Sequence, residues 1–301
     1  MLEQANVTTE RYKNRISPVH TFVPFQSLNA TCQLIILFEV TLTQRPKMVQ
    51  NKGLIYKKVP QGWPKEDEDL AIEAREFDLD APPPKGGLIL KNYYVSFDPF
   101  QRGRMRDPSI KSYSAPFPLG KPITNRVISK VLKSDSPQFK EGDVIIPQES
   151  MGTEEYTVLE EKPTSQAQKL ENPYKLDPKV FLGPLGMPGL TAWSSFYEIG
   201  QPKKGETIFI SAASGAVGQV VGQLAKHEGL TVIGSVGDDK KLEFILNDLK
   251  FDAGFNYKKE KPAQALARLA PEGIDIYYEN VGGEHLEAAL DALNQFGRIG
   301  E

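Results

Sequence analysis

From about residue 180 onward the chain repeats one rhythm: a short apolar run rich in β-formers, a turn, then an amphipathic helix. TIFIS (207–211) leads into AVGQVVGQLAKHEG (216–229), which sets Val217, Val220, Val221 and Leu224 on one helical stripe and ends at a glycine cap. TVIGS (231–235) is the next strand, and DDKKLEFILNDL (238–249) the next helix, opened by Asp. AGFNY (253–257), a helix over 261–270, IDIYYEN (274–280), a helix over 283–294 and RIG (298–300) continue the series. Strands alternating with helices imply a parallel, doubly wound α/β sheet covered on both faces.

The turn after the first of these strands is unusually bare. Ala212-Ala213-Ser214-Gly215-Ala216-Val217-Gly218 is an A-x-x-G-x-x-G variant of the dinucleotide fingerprint. Small residues let the backbone approach a pyrophosphate, N–H groups at the helix start favour the anion, and Gly218 lets helix pack on strand. An NAD site ends its second strand with an acid that accepts from the ribose 2′-hydroxyl. Aligned by that strand, the slot falls at Ser235; no acid stands there, and Lys240 and Lys241 follow. An ammonium attracts a 2′-phosphate that a carboxylate would repel, so the pattern favours NADP(H). Asp238 and Asp239 lie past the strand and read as helix caps.

Upstream, over about 48–175, short strand-like runs alternate with Gly and Pro: LILKNYYVSF (88–97), RVISKVL (126–132), DVIIPQ (143–148) and EYTVLE (155–160). That density of strands and turns implies an antiparallel, barrel-like domain. The acidic stretch KEDEDLAIEAREFDL (65–79) reads as a solvated face. Residues 1–47 show no sustained period and read as a weakly structured extension, with Met48 as the expected biological start.

At 301 residues the chain has room for two domains, and its formal charge of -3 leaves no basic face for nucleic acid. The longest apolar run, LIILF (34–38), is far short of the roughly 20 residues that cross a bilayer. With a single cysteine, Cys32, the expectation is a cytoplasmic protein that uses no membrane and no nucleic acid. Its three histidines, His20, His227 and His285, are far apart, and His227 and His285 read as surface residues, so no metal site is expected. There is no G-x-S-x-G elbow for a nucleophile. Tyr257 and Lys261 match Y-x-x-x-K, but Tyr257 ends a strand, where a catalytic pair of that type would stand on a long helix.

Eight blocks in order carry a family resemblance: YYVSFDPFQRGRM (93–105), SYSAPFPLG (112–120), FKEGDVI (139–145), GMPGLTAW (186–193), SAASGAVGQVVGQLAK (211–226), FNYK (255–258), ENVGG (279–283) and FGRI (296–299). From Met48 to Ile299 the chain resembles the zinc-independent branch of the medium-chain dehydrogenase/reductases, most closely the NADPH-dependent alkenal double-bond reductases. The resemblance implies a GroES-like β-barrel domain over 48–178, then a Rossmann domain over 179–301, with a cleft between them. It implies Gly215, Ala216, Val217 and Gly218 at the pyrophosphate, Lys241 and Tyr257 at the 2′-phosphate, and Asn280 near the same ribose. Met187, Pro188 and Thr191 would lie beside the nicotinamide, and Tyr113 would line the pocket of an enone or enal substrate. A homodimer is also implied.

The departures from the family pattern are specific. Phe100 and Gln101 replace the family's Tyr-Met, and PITNRV (122–127) replaces a glycine-containing stretch. The chain reads as stopping inside the fifth Rossmann strand, so that the family's proton-donating tyrosine would lie beyond Glu301 and no catalytic residue is assigned. Three readings stay open: an enone reductase, a truncated inactive homologue that at most binds NADPH or a partner, and an NADPH quinone reductase.

Overall fold

The computed structural model describes residues 47–148 and 151–300. The reading of residues 1–46 as an extension, with His20, Cys32 and the 34–38 run, lies outside the described residues.

Among the described residues, the antiparallel part is built from ten strands. Strands β1 (Met48–Tyr56), β2 (Leu70–Asp78) and β4 (Lys121–Pro122) form one sheet in the order β2-β1-β4. A second sheet orders β10 (Gln168–Lys169), β7 (Val144–Ile146), β6 (Val127–Ser134), β3 (Leu88–Val95) and β9 (Tyr156–Leu159). β5 (Thr124–Asn125) pairs with β8 (Met151–Gly152). The short helix α1 (Phe100–Arg104) follows β3, and α2 (Glu161–Gln166) follows β9. Leu88, Leu90, Val127, Val131 and Ile145 fill the space over the five-stranded sheet. The acidic stretch contributes β2, which pairs with β1 along its whole length from Met48–Asp78 to Tyr56–Leu70. Backbone pairing to a half-buried neighbour therefore overrides its charge, and its side chains remain largely solvated.

Helix α3 (Met187–Ser195) runs into a π-helical turn, Phe196–Gly200. The parallel sheet then orders β13 (Ala253–Asn256), β12 (Thr231–Val236), β11 (Thr207–Ile210), β14 (Ile274–Tyr278) and β15 (Leu293–Gly300). Chain order reverses between β11 and β14, which makes that boundary the topological switch point of the sheet. Helices α4 (Gly218–Glu228) and α5 (Asp239–Glu243) follow β11 and β12; α6 (Pro262–Leu269) and α7 (Glu284–Ala292) follow β13 and β14. Alternation along the strands fills two cores. Ile208, Ile210, Val232 and Ile276 meet Val221 and Ala225 of α4 and Ala192 of α3 on one face. Phe209, Ile233, Phe255 and Tyr277 meet Ala265 and Leu266 of α6 and Ala288 and Ala289 of α7 on the other.

Several boundaries differ from the sequence reading; β11, β13 and β14 stop at Ile210, Asn256 and Tyr278, one or two residues short of the expected ends. β12 extends one residue further, to Val236. The helix over 238–249 is α-helical only to Glu243, then widens into a π turn over Phe244–Asp248. The last helix ends at Ala292 and a strand begins at Leu293. That strand is bulged, because Leu293 faces Ile274 while Arg298 already faces Ile276. Phe296 in this bulge takes a positive φ of 66°.

Candidate active site

The glycine turn lies where β11 meets α4, beside the switch point. Ala212 takes a positive φ of 46°, a conformation that glycine adopts freely and alanine only with strain. Ala213 donates its N–H to the Ser235 carbonyl and Gly215 donates to the Ala212 carbonyl, which closes the loop. A Cβ on Gly218 would come within 2.7 Å of the Ala212 oxygen, so only glycine lets α4 start this close to the strand. Among the described residues, the backbone N–H groups of Ala216 and Val217 donate to no other backbone group. They stand free at the positive end of α4, the geometry that receives a pyrophosphate.

Asn280 reaches the turn from β14. Its backbone N–H donates to Ser211 Oγ at 2.8 Å and its Nδ2 to the Ser211 carbonyl at 2.9 Å. Glu279 Oε1 accepts from the N–H groups of Val281 and, at 2.8 Å, Gly282. Burial works against charge on Glu279, but those two donors, together with the Tyr277 and Ser211 hydroxyls, outweigh it and hold the carboxyl below its usual range. The ends of β11 and β14 are thereby knotted together at the crevice.

The adenosine side is set by β12 and β13. Ser235, the slot expected from sequence, is fully buried inside the sheet. Because β12 continues, the position beyond the strand end is Gly237, and the residue that closes the strand is Val236; neither is acidic. Asp238 caps α5, its Oδ1 accepting from the Lys241 N–H at 2.9 Å. Asp239 accepts instead from Asn256 Nδ2 at 2.9 Å and pairs with Lys259. Both nearby carboxylates are thus engaged, while Lys241 keeps an exposed ammonium whose only ion-pair neighbour among the described residues is Asp238, at 3.9 Å. Tyr257 donates its backbone N–H to the Val236 carbonyl and is 40% exposed on the same rim.

His285 corrects the sequence reading: it is 6% exposed, whereas His227 is exposed as expected. Its ring lies parallel to Phe209 and Phe255, at 6.3 and 6.5 Å between centroids, and meets Tyr257 edge-on at 5.2 Å. Burial holds its imidazole below the usual range despite Glu279 and Glu284. The only sequence signal for this was negative: nothing in EHLEAAL shows that Phe209 of β11, Phe255 of β13 and Tyr257 just past it converge on the first turn of α7.

Met187, Pro188 and Thr191 occupy the first turns of α3, Pro188 buried and the other two partly exposed. Tyr278 ties this helix to the sheet: its hydroxyl lies 2.6 Å from Ser195 Oγ, which itself donates to the Thr191 carbonyl at 2.7 Å. Tyr113, the expected substrate-lining residue, is 88% exposed. An apolar groove of about 380 Å³ involves Leu54, Ile72, Tyr93, Tyr94 and Phe97 on the antiparallel part, and none of the rim residues.

The two departures near residue 100 touch each other. Gln101 Nε2 donates to the Thr124 carbonyl, and Asn125 Nδ2 donates to Ser96 O and, at 2.6 Å, to Asp98 Oδ2. These bonds hold the Thr124–Asn125 strand within PITNRV. Among the described residues, no three His, Cys, Asp or Glu side chains gather as metal ligands, and no helix is long and apolar enough to cross a membrane.

Residues 52–167 match the family model described as the N-terminal domain of oxidoreductase, and residues 216–300 match the one described as zinc-binding dehydrogenase. The chain is 60% identical over 253 residues to NADP-dependent oxidoreductase RED1 of Cochliobolus heterostrophus, covering 84% of this chain and 71% of that protein. It is 43% identical to the 2-alkenal reductase (NADP(+)-dependent) of Nicotiana tabacum, over 83% of this chain and 71% of that one. The structure of CurA from Vibrio vulnificus in complex with NADPH superposes with a TM-score of 0.74 at 33% identity, covering 82% of this chain and 70% of that one. The chain belongs to the medium-chain dehydrogenase/reductase superfamily, in its zinc-independent alkenal reductase group.

Proposed function

We propose that this protein binds NADP(H) across the β11–β14 switch point and reduces the carbon–carbon double bond of α,β-unsaturated aldehydes or ketones. The division at residues 178 and 179 into a barrel-like and a nucleotide-binding domain belongs to this reading. The observation that carries it is the rim beyond β12 and β13. Val236 and Gly237 offer no acid, Asp238 and Asp239 are held by the fold, and Lys241 and Tyr257 remain to meet a 2′-phosphate. Bare backbone at Gly215–Gly218 fits a pyrophosphate, since a side chain at Gly218 would collide with the turn. When bound, NADPH supplies a hydride to the substrate β-carbon. The protein's own contribution is position. In this reading α3, with Met187, Pro188 and Thr191, borders the nicotinamide, and the Tyr278–Ser195 hydrogen bond holds that helix against β14.

Incubation with NADPH and a short 2-alkenal, followed at the nicotinamide absorbance and paired with calorimetric titration of NADPH and NADH, tests the reading. Turnover of the alkenal and tighter binding of NADPH are expected. Binding of neither nucleotide, or preference for NADH, would overturn the cofactor assignment; binding without turnover would overturn the activity alone. Lys241→Glu is expected to weaken NADPH much more than NADH.

A further inference from the structure

His285 is the one buried histidine among the described residues, and the proposed chemistry leaves it without a task. Its Nε2 is buried with no hydrogen-bond partner, a costly arrangement for a polar atom. Its ring packs beside Phe209 and Phe255, so a flat ring is what this place in the fold holds. The imidazole also meets Tyr257, with 5.2 Å between centroids and an angle of 81° between the rings. Edge-to-face contact of this kind fixes the angle of a ring as well as its location. The other wall of Tyr257 is Gly237: a Cβ there would fall 2.7 Å from the tyrosine hydroxyl and 3.2 Å from its ring carbon. Gly237 does not take a positive φ, so its bareness serves the space that Tyr257 occupies. His285 beneath and Gly237 beside thus define one pose, with the hydroxyl directed over the residue that precedes Asp238 and the Lys241 helix.

We propose that His285 and Gly237 are the positioning residues that set discrimination between NADPH and NADH, by holding the Tyr257 hydroxyl where it meets a 2′-phosphate. This inference rests on the proposed placement of that phosphate at Lys241 and Tyr257. Neither residue need contact the nucleotide; each acts through one tyrosine. NADH, which lacks the phosphate, gains little from the pose.

The test is calorimetric titration of the full chain with NADPH and with NADH, comparing wild type with His285→Ala, His285→Phe and Gly237→Ala. His285→Ala removes the floor and Gly237→Ala fills the tyrosine's space. Each is expected to weaken NADPH about tenfold, the worth of one charge-assisted hydrogen bond, while NADH changes little. His285→Phe keeps a flat ring under Tyr257 and is expected to retain the wild-type ratio of the two dissociation constants. Equal weakening of both nucleotides, or an unchanged ratio in His285→Ala and Gly237→Ala, would overturn the inference. Should His285→Ala fail to fold, Gly237→Ala and His285→Phe decide it. Lys241→Glu separates the two levels. If it lowers the ratio while Gly237→Ala does not, this inference alone falls; if it too leaves the ratio unchanged, the 2′-phosphate placement falls with it.

Discussion

The carbonyl oxygen of Ala212 stands 2.7 Å from the point that a Cβ on Gly218 would occupy, and the Cα of Ala213 stands 3.0 Å from it. Both obstacles are backbone, so neither can swing aside. Gly218→Ala must therefore push α4 off β11, opening the packing of Val221 and Ala225 against Ile208 and Ile210. The expected cost is about 1–3 kcal/mol, as for other overpacked cores, and the free N–H groups at the helix start move with it. Urea unfolding together with NADPH titration checks this. A variant of wild-type stability and affinity would show that the close approach is not required.

Ala212 itself is held at a φ of 46°, where an L side chain is strained. Ala212→Gly releases that strain and is expected to raise stability by about 1 kcal/mol, net of the greater freedom that glycine gives the unfolded chain. Thermal melting measures it. A fall in melting temperature would mean that the Ala212 methyl contributes packing worth more than the strain.

Burial holds His285 below its ordinary value, so the unfolded chain binds its proton more readily than the folded one. Its contribution to stability is complete above the unfolded-state value of about 6.5 and is lost progressively as pH falls below it. Around the ring stand Phe209, Phe255 and Tyr257, and the carboxylates of Glu279 and Glu284, whose pull the burial outweighs. Glu279 is displaced downward from the carboxylate range and titrates at lower pH. Melting temperature is expected to drop between about pH 7.5 and about pH 5.5, and His285→Phe is expected to flatten that slope. Parallel slopes in the two proteins would assign the loss to other groups.

The sequence made the parallel sheet legible because its period switches cleanly from 2 to 3.6, and because a glycine turn sits between an apolar run and an amphipathic stripe. It located the turn residue by residue. It misjudged what depends on convergence. Ser235 looked like the end of its strand, since Val236-Gly237 reads as loop, yet the backbone pairs on to Val236 opposite Asn256. His285 looked like a surface residue because its burial is decided by Phe209, Phe255 and Tyr257, which are distant in the chain. The acidic run at 65–79 hid a strand, since its β-pairing is to β1 and its charges stay in water.

The Tyr278–Ser195 pair offers the sharpest energetic test of how α3 is held. Ser195 spends its one hydroxyl proton on the Thr191 carbonyl, so the tyrosine is the donor in the 2.6 Å contact between them. Burial also pushes the Tyr278 hydroxyl up from its ordinary value, which keeps its proton in place. Removing one partner then differs from removing both. Ser195→Ala strands a buried hydroxyl and is expected to cost about 1–3 kcal/mol, whereas Tyr278→Phe leaves Ser195 bonded to Thr191 and is expected to cost about 0.5–1.5 kcal/mol. In the double variant no donor is stranded, so its loss should fall short of the sum by about 1 kcal/mol. Denaturant unfolding of the four proteins yields that coupling directly. Additive losses would mean that the two hydroxyls do not interact, and that α3, with Met187, Pro188 and Thr191, is held against β14 by apolar packing alone.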